Sequence, residues 1–203
     1  MLKELFEGSF YVTYERKPGV SLNLRETTCT GDFTLLDQEA CRGCVYVCSD
    51  TDSEREQLKV HADHQAYIIK VADIFSYIKG GFGEISDYMI DTTASTAVVE
   101  MTCSTTDYVK DKRAKARRQL YNTLLCFNAC HTVKQHIEQR ASRYAIFSWR
   151  ETMPQPDETD SIEVNMRKMM LLTDEVYSPD NESNFDFGFK LKEIRYPHVL
   201  VLE

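Results

Sequence analysis

ISDYMIDTTASTAVVEMTC, residues 85–103, carries the pattern of an antiparallel hairpin. Residues 85–91 and 96–103 are rich in Tyr, Ile, Val, Met and Thr and read as two strands joined by the polar residues 92–95. With the turn centred between Thr93 and Ala94, Asp91 faces Thr96, Met89 faces Val98 and Asp87 faces Glu100. Opposed side chains of an antiparallel pair lie about 4.5–5.5 Å apart at Cβ. Tyr88, Ile90, Ala97, Val99 and Met101 form the other face and suit a core. Two facing carboxylates repel one another, and a bound divalent cation is the obvious reason for such a pair.

Outward from the hairpin, residues 107–140 carry the strongest helical pattern, with Ala116, Leu120, Leu124, Phe127 and His131 recurring every three or four positions. Residues 143–149, RYAIFSW, then read as a strand. Upstream, residues 53–78 form a second long helical candidate ended by Gly80-Gly81, although residues 66–71 read equally well as a strand. Residues 9–15 and 21–25 are expected strands around the Lys17-Pro18-Gly19 turn, residues 34–40 a short helix and residues 44–48 a strand. Helix, strand, strand, long helix and strand in that order predict an α/β layer, a mixed central sheet flanked by helices. The Pro-rich acidic residues 153–159 mark a boundary: an α/β domain over 1–150 and an acidic extension over 151–203. In the extension, residues 184–192 and 198–202 read as strands, giving a small C-terminal β-rich element.

The formal charge of −8 is concentrated in that extension, where 12 acidic residues meet 5 basic ones. Global acidity disfavours a polyanion partner, but here the first 150 residues are nearly neutral. No apolar run reaches the roughly 20 residues needed to span a bilayer, and residues 1–17 lack a signal-peptide core. A cytoplasmic location follows as the expectation, with the seven cysteines as reduced thiols.

Lys110, Lys112, Arg113, Lys115, Arg117 and Arg118 make six of nine positions basic at the start of the long helix. A basic helix beside a carboxylate pair suits a phosphodiester backbone held near a hard cation. Taken separately, each half is an ordinary solvated surface; their adjacency carries the reading.

These residues resemble the PD-(D/E)XK nuclease superfamily: Asp87 in ISDYMID, Glu100 in AVVEMTC, and the helix KDKRAKARRQL with Lys115 and Gln119. The resemblance covers about residues 53–149 and implies a restriction-endonuclease-like core. It also implies that Asp87 and Glu100 hold Mg²⁺ or Mn²⁺ and that the chain is a divalent-metal-dependent nuclease. Thr102 stands where the family's lysine follows the Glu, and Ser86 where proline precedes the Asp. Some members, viral cap-snatching endonucleases among them, carry the lysine on the next helix. Lys110, Lys112 and Lys115 are the candidates, with Lys115 favoured one turn before Gln119. Arg113, Arg117 and Gln119 would orient nucleic acid, DNA or RNA undetermined. Asp91 and His64, the latter paired with His61 at i, i+3 on a helix, would complete the ligand set.

Two groups of cysteines stand apart from this site. Cys41, Cys44 and Cys48 with Cys29 upstream form a thiolate set for a metal if the segment is helical, and buried cysteines if it is a strand. Cys126, Cys130 and His131 read as a core stripe. The alternative function is a non-catalytic interaction module on the same fold, its acidic tail meeting a protein partner.

Overall fold

The computed structural model describes residues 2–36, 56–104, 109–151 and 182–203. They build one mixed, mostly antiparallel sheet of eight strands: β1 (Glu26–Leu36), β2 (Glu56–Lys70), β3 (Tyr88–Asp91), β4 (Ser95–Ser104), β5 (Ser142–Glu151), β6 (Glu182–Asn184), β7 (Lys190–Arg195) and β8 (Val199–Leu202). Their order is β1-β2-β3-β4-β5-β7-β6, and β8 pairs with β2. The helices are α1 (Leu2–Leu5) and α2 (Tyr11–Thr13), bridged by a π-helical turn at Phe6–Phe10, then α3 (Val71–Ser76), α4 (Val109–Ala129) and α5 (His131–Glu138). Among the described residues no helix is long and apolar enough to cross a membrane.

The hairpin has the register its sequence predicts. Tyr88 faces Val99, Met89 faces Val98, Ile90 faces Ala97 and Asp91 faces Thr96. Thr92 closes the turn: its N–H donates to the Ser95 carbonyl at 2.8 Å, and its hydroxyl accepts the Ser95 N–H at 2.8 Å. Alternation then separates the two faces. Met89 and Val98 join Leu120, Leu124 and Phe127 of α4 on one side. Tyr88, Ile90, Ala97, Val99 and Met101 join Val60, Ile68, Ile146 and Leu200 on the other, the core face expected for them. After β4 the chain crosses through α4 and α5 to β5, which lies parallel to β4 from Ser95↔Ser142 onward. Such a crossover needs a connection of about a dozen residues or more, which the helices supply.

Five expectations change. Residues 56–70 are a strand and not part of a long helix. Leu58, Val60 and Ala62 are buried while Lys59, His61 and Asp63 are not, a period of two that β1 and β8 stabilise from both sides. Residues 9–15 are not a strand: Phe6 and Phe10, four apart, place their rings 5.2 and 5.9 Å from Phe127, and helical winding aligns them for it. Residues 21–25 lead into β1 without regular structure, and β1 runs through Leu36, where a helix was expected. The single long helix is two, because Cys130 has extended φ/ψ (−89°, 108°) and re-starts the chain as the N-cap of α5. The strand expected at 44–48 and the boundary at 153–159 lie outside the described residues. Beyond that boundary, β7 extends the sheet alongside β5 and β8 runs alongside β2, so residues 190–202 belong to the same sheet as the hairpin.

Candidate functional site

α4 lies over the face that carries Met89 and Val98, burying Ala116, Gln119, Leu120, Thr123, Leu124 and Phe127 as one stripe. Three polar side chains of α4 hold the segment leading into β3. Asn122 Nδ2 donates to the Glu84 carbonyl at 3.0 Å and Gln119 Nε2 to the Ile85 carbonyl at 3.0 Å. Thr123 Oγ1 accepts from the Ser86 N–H at 2.9 Å and from the Ser86 hydroxyl at 2.8 Å. Residues 84–86 are therefore positioned by a helix and not by a neighbouring strand. Ser86 and Thr123 bond each other and so fix where Asp87 begins.

At Asp87 the regular ladder ends. Its N–H donates to the carbonyl of Val99, the residue Tyr88 already faces, as in a bulge, and its carbonyl accepts the Val71 N–H at 2.8 Å. Its carboxylate Oδ2 accepts the Met101 N–H at 2.7 Å. Instead of standing squarely opposite Glu100, Asp87 turns onto the backbone amide next to it, a charge-assisted bond that offsets the repulsion of a facing pair. Glu100 is 8% exposed and lies beside Phe147 of β5, which packs on Ala116 of α4. The two carboxylates thus fall at the same end of the hairpin, under the first half of α4. Gln119 reaches the same neighbourhood through Ile85, and its Oε1 is buried with no hydrogen-bond partner among the described residues.

The rest of the expected ligand set is elsewhere. Asp91, 2% exposed, is held by Arg140 through Nε at 2.9 Å and Nη2 at 2.7 Å, and by His136 Nε2 at 2.9 Å. Burial pushes its carboxyl pKa up, but these partners outweigh burial and hold it below its usual value. An acid so neutralised, four residues along β3 from Asp87, is not a ligand beside it. His64 sits on β2, where Asp63, His64 and Gln65 together span the single residue Thr30 of β1. That irregularity is seven residues from Val71, roughly 20 Å along a strand, from the backbone that meets Asp87. His61, expected on the same face, bonds Asp32 at 2.6 Å instead.

The basic residues of α4 divide. Lys115 pairs with Glu84 at 3.2 Å, and Arg113 grips Glu193 of β7 through Nε at 2.7 Å and through Nη2. Both cations therefore face acids other than Asp87 and Glu100. Lys112 is exposed, makes no ion pair among the described residues, and stands one turn before Ala116, whose side chain packs beside Glu100's neighbour Phe147. Arg117 lies over the Phe185 ring, 5.8 Å from its centroid. The Lys110 side chain and Cys41, Cys44 and Cys48 lie outside the described residues. Cys29 is buried in β1 and Cys126 half-buried in α4, and burial raises both thiols, so neither is poised as a nucleophile.

Among the described residues no three of His, Cys, Asp and Glu converge as a ready-made metal cluster. The donors at this end of the hairpin are nevertheless oxygens, the Asp87 and Glu100 carboxylates. That set suits a hard, hydrated divalent cation, which needs few protein ligands, and does not suit a soft one. Sequence reasoning missed Arg140 and His136, 49 and 45 residues from Asp91, because nothing local links them. Thr123 had a signal, a hydroxyl within a buried helical stripe.

No family model matches the chain, and neither a curated protein nor a solved structure is significantly similar to it.

Proposed function

We propose that the protein is a divalent-metal-dependent nuclease with a restriction-endonuclease-like core, cutting phosphodiester bonds at Asp87 and Glu100. One observation carries the reading: Asp87, on the Met101 N–H, and the buried Glu100 lie at one end of a hairpin, beneath a helix whose first turns are basic. Asp87 and Glu100 would hold Mg²⁺ or Mn²⁺. A cation bound there lowers the pKa of the attacking water and offsets charge on the phosphate. The chain's own residues supply the rest. The Met101 N–H orients the Asp87 carboxylate, Lys112 steadies the scissile phosphate, and Lys110 and Arg117 hold the flanking backbone. Lys115, the first choice from spacing, is replaced in this role by Lys112 because Glu84 already holds it.

A second reading has its own support. The pairing of Lys115 and Arg113 with acids, and Thr102 after Glu100, favour a non-catalytic interaction module whose acidic C-terminal residues meet a protein partner. Cleavage of single- and double-stranded DNA and RNA in Mn²⁺ separates the two. Glu100→Ala should lower cutting by about 100-fold or more and Lys112→Ala by about tenfold. Lys115→Ala should stay within about threefold of wild type, the effect of an exposed ion pair. Absence of cutting on every substrate, with no Mn²⁺ effect on melting, would leave the interaction module as the reading.

A further inference from the structure

The outer face of α4 borders a cleft of about 330 Å³ lined by Glu84, Arg117, Arg118, Tyr121, Asn122, Phe185 and Asp186. It faces away from the stripe that packs on the hairpin. Arg118 and Tyr121 are exposed, and neither Arg117 nor Arg118 is in an ion pair among the described residues. Of the two acids in the cleft, Glu84 is already paired with Lys115. Asp186 remains as an acceptor beside two guanidinium donors.

The opposite wall is a rigid turn. The Phe185 N–H donates to the Phe189 carbonyl at 2.8 Å and the Phe189 N–H to the Asp186 carbonyl at 3.2 Å. Phe187 has φ 58°, ψ 23°, a left-handed conformation that a bulky side chain rarely adopts. Gly188 follows with φ 75°, and a Cβ there would sit 3.4 Å from the Arg143 guanidinium. The outcome is that the Phe187 ring lies 5.7 Å from Tyr121, tilted by 35°, while the Phe185 ring lies under Arg117. Strain of this kind persists only where surrounding structure fixes it. Here it sets aromatic surfaces and guanidinium groups around a space for one nucleotide-sized group.

We propose that this cleft binds a nucleotide with an unpaired base. The base stacks against Tyr121 and Phe185, Arg117 and Arg118 hold the phosphate, and Asp186 accepts a hydrogen from a base amine or sugar hydroxyl. Aromatic stacking beside guanidinium groups is the chemistry that selects single strands, because bases in a duplex do not offer their faces. The proposal rests on the nucleic-acid reading above for its ligand class and deepens it to single-stranded substrate.

The test is anisotropy titration of a fluorescent single-stranded oligonucleotide, with its duplex and a free mononucleotide as competitors, all in EDTA. EDTA removes any contribution from the carboxylate site, so a failure of cleavage and a failure of this cleft are read separately. The single strand should bind at least tenfold more tightly than the duplex. Tyr121→Leu should weaken it at least fivefold, Tyr121→Phe should restore it, and Arg117→Ala with Arg118→Ala should weaken it at least tenfold. Tyr121 is 39% exposed, so these variants should melt near wild type. A mononucleotide that competes as well as the oligonucleotide supports the cleft and assigns free nucleotide as the ligand. Equal binding of duplex and single strand, or no loss in Tyr121→Leu, would overturn the proposal, as would absence of binding.

Discussion

The two ends of one strand face treat their carboxylates in opposite ways. At the turn end, Asp91 is buried and closed within a network: two bonds from Arg140 and one from His136. At the far end, Asp87 takes a backbone amide, Glu100 is buried, and Arg113 and Lys115 of α4 pair with Glu193 and Glu84. A buried acid gripped by an arginine and a histidine is a structural device, whereas a pair of acids at the end where Arg113 and Lys115 pair elsewhere offers a place for a divalent cation. The difference separates residues that look alike in sequence.

The largest effect should come from breaking the closed end. Asp91→Ala leaves Arg140 and His136 without their acid and should cost about 3 kcal/mol, a melting shift of roughly 10 °C. Asp87→Ala removes the acceptor of the Met101 N–H and should cost about 1 kcal/mol. Urea unfolding of both variants checks this, and equal losses would erase the distinction.

The pH dependence should follow the same end. Because the Asp91 carboxyl is held below its usual value, the folded chain binds its proton less readily than the unfolded chain. Its contribution is therefore complete above the ordinary carboxylate value of about 4 and is lost as pH falls through the lower folded value. Unfolding midpoints measured from pH 7 to pH 3 should fall less steeply in Asp91→Asn than in wild type.

The smallest effect sharpens the open end. Millimolar Mn²⁺ should raise wild-type melting by a few degrees, as about 1–2 kcal/mol of linkage would. Glu100→Ala should abolish the rise, while His64→Ala should preserve it, since His64 lies at a remote irregularity of β2. Loss of the rise in His64→Ala would return that histidine to the ligand set.

Much of the centre was legible because the signals are local. Alternation and a four-residue turn suffice for the hairpin register, and the spacing of Ala116, Leu120, Leu124 and Phe127 for α4. The amphipathic reading of residues 53–78 failed because β2 is long and irregular. Its period of two is interrupted at residues 63–65, and short apolar stretches on either side mimic a helical stripe. The N-terminal helix was missed because Phe6 and Phe10 gain their meaning only from Phe127, more than a hundred residues away.

Local pattern alone sets the hairpin, its core face, the basic helix after it and the strand that closes the crossover. Each depends on the stereochemistry of neighbouring residues, which the order of side chains contains. Tertiary structure decided which charges meet. Lys115 and Lys112 are three residues apart on one helix, yet Glu84 holds only Lys115. Asp87 and Asp91 lie four apart on one strand approach, yet only Asp91 meets Arg140. Electrostatic partnership depends on distance in space, and the packing of α4 and α5 on the sheet sets that distance.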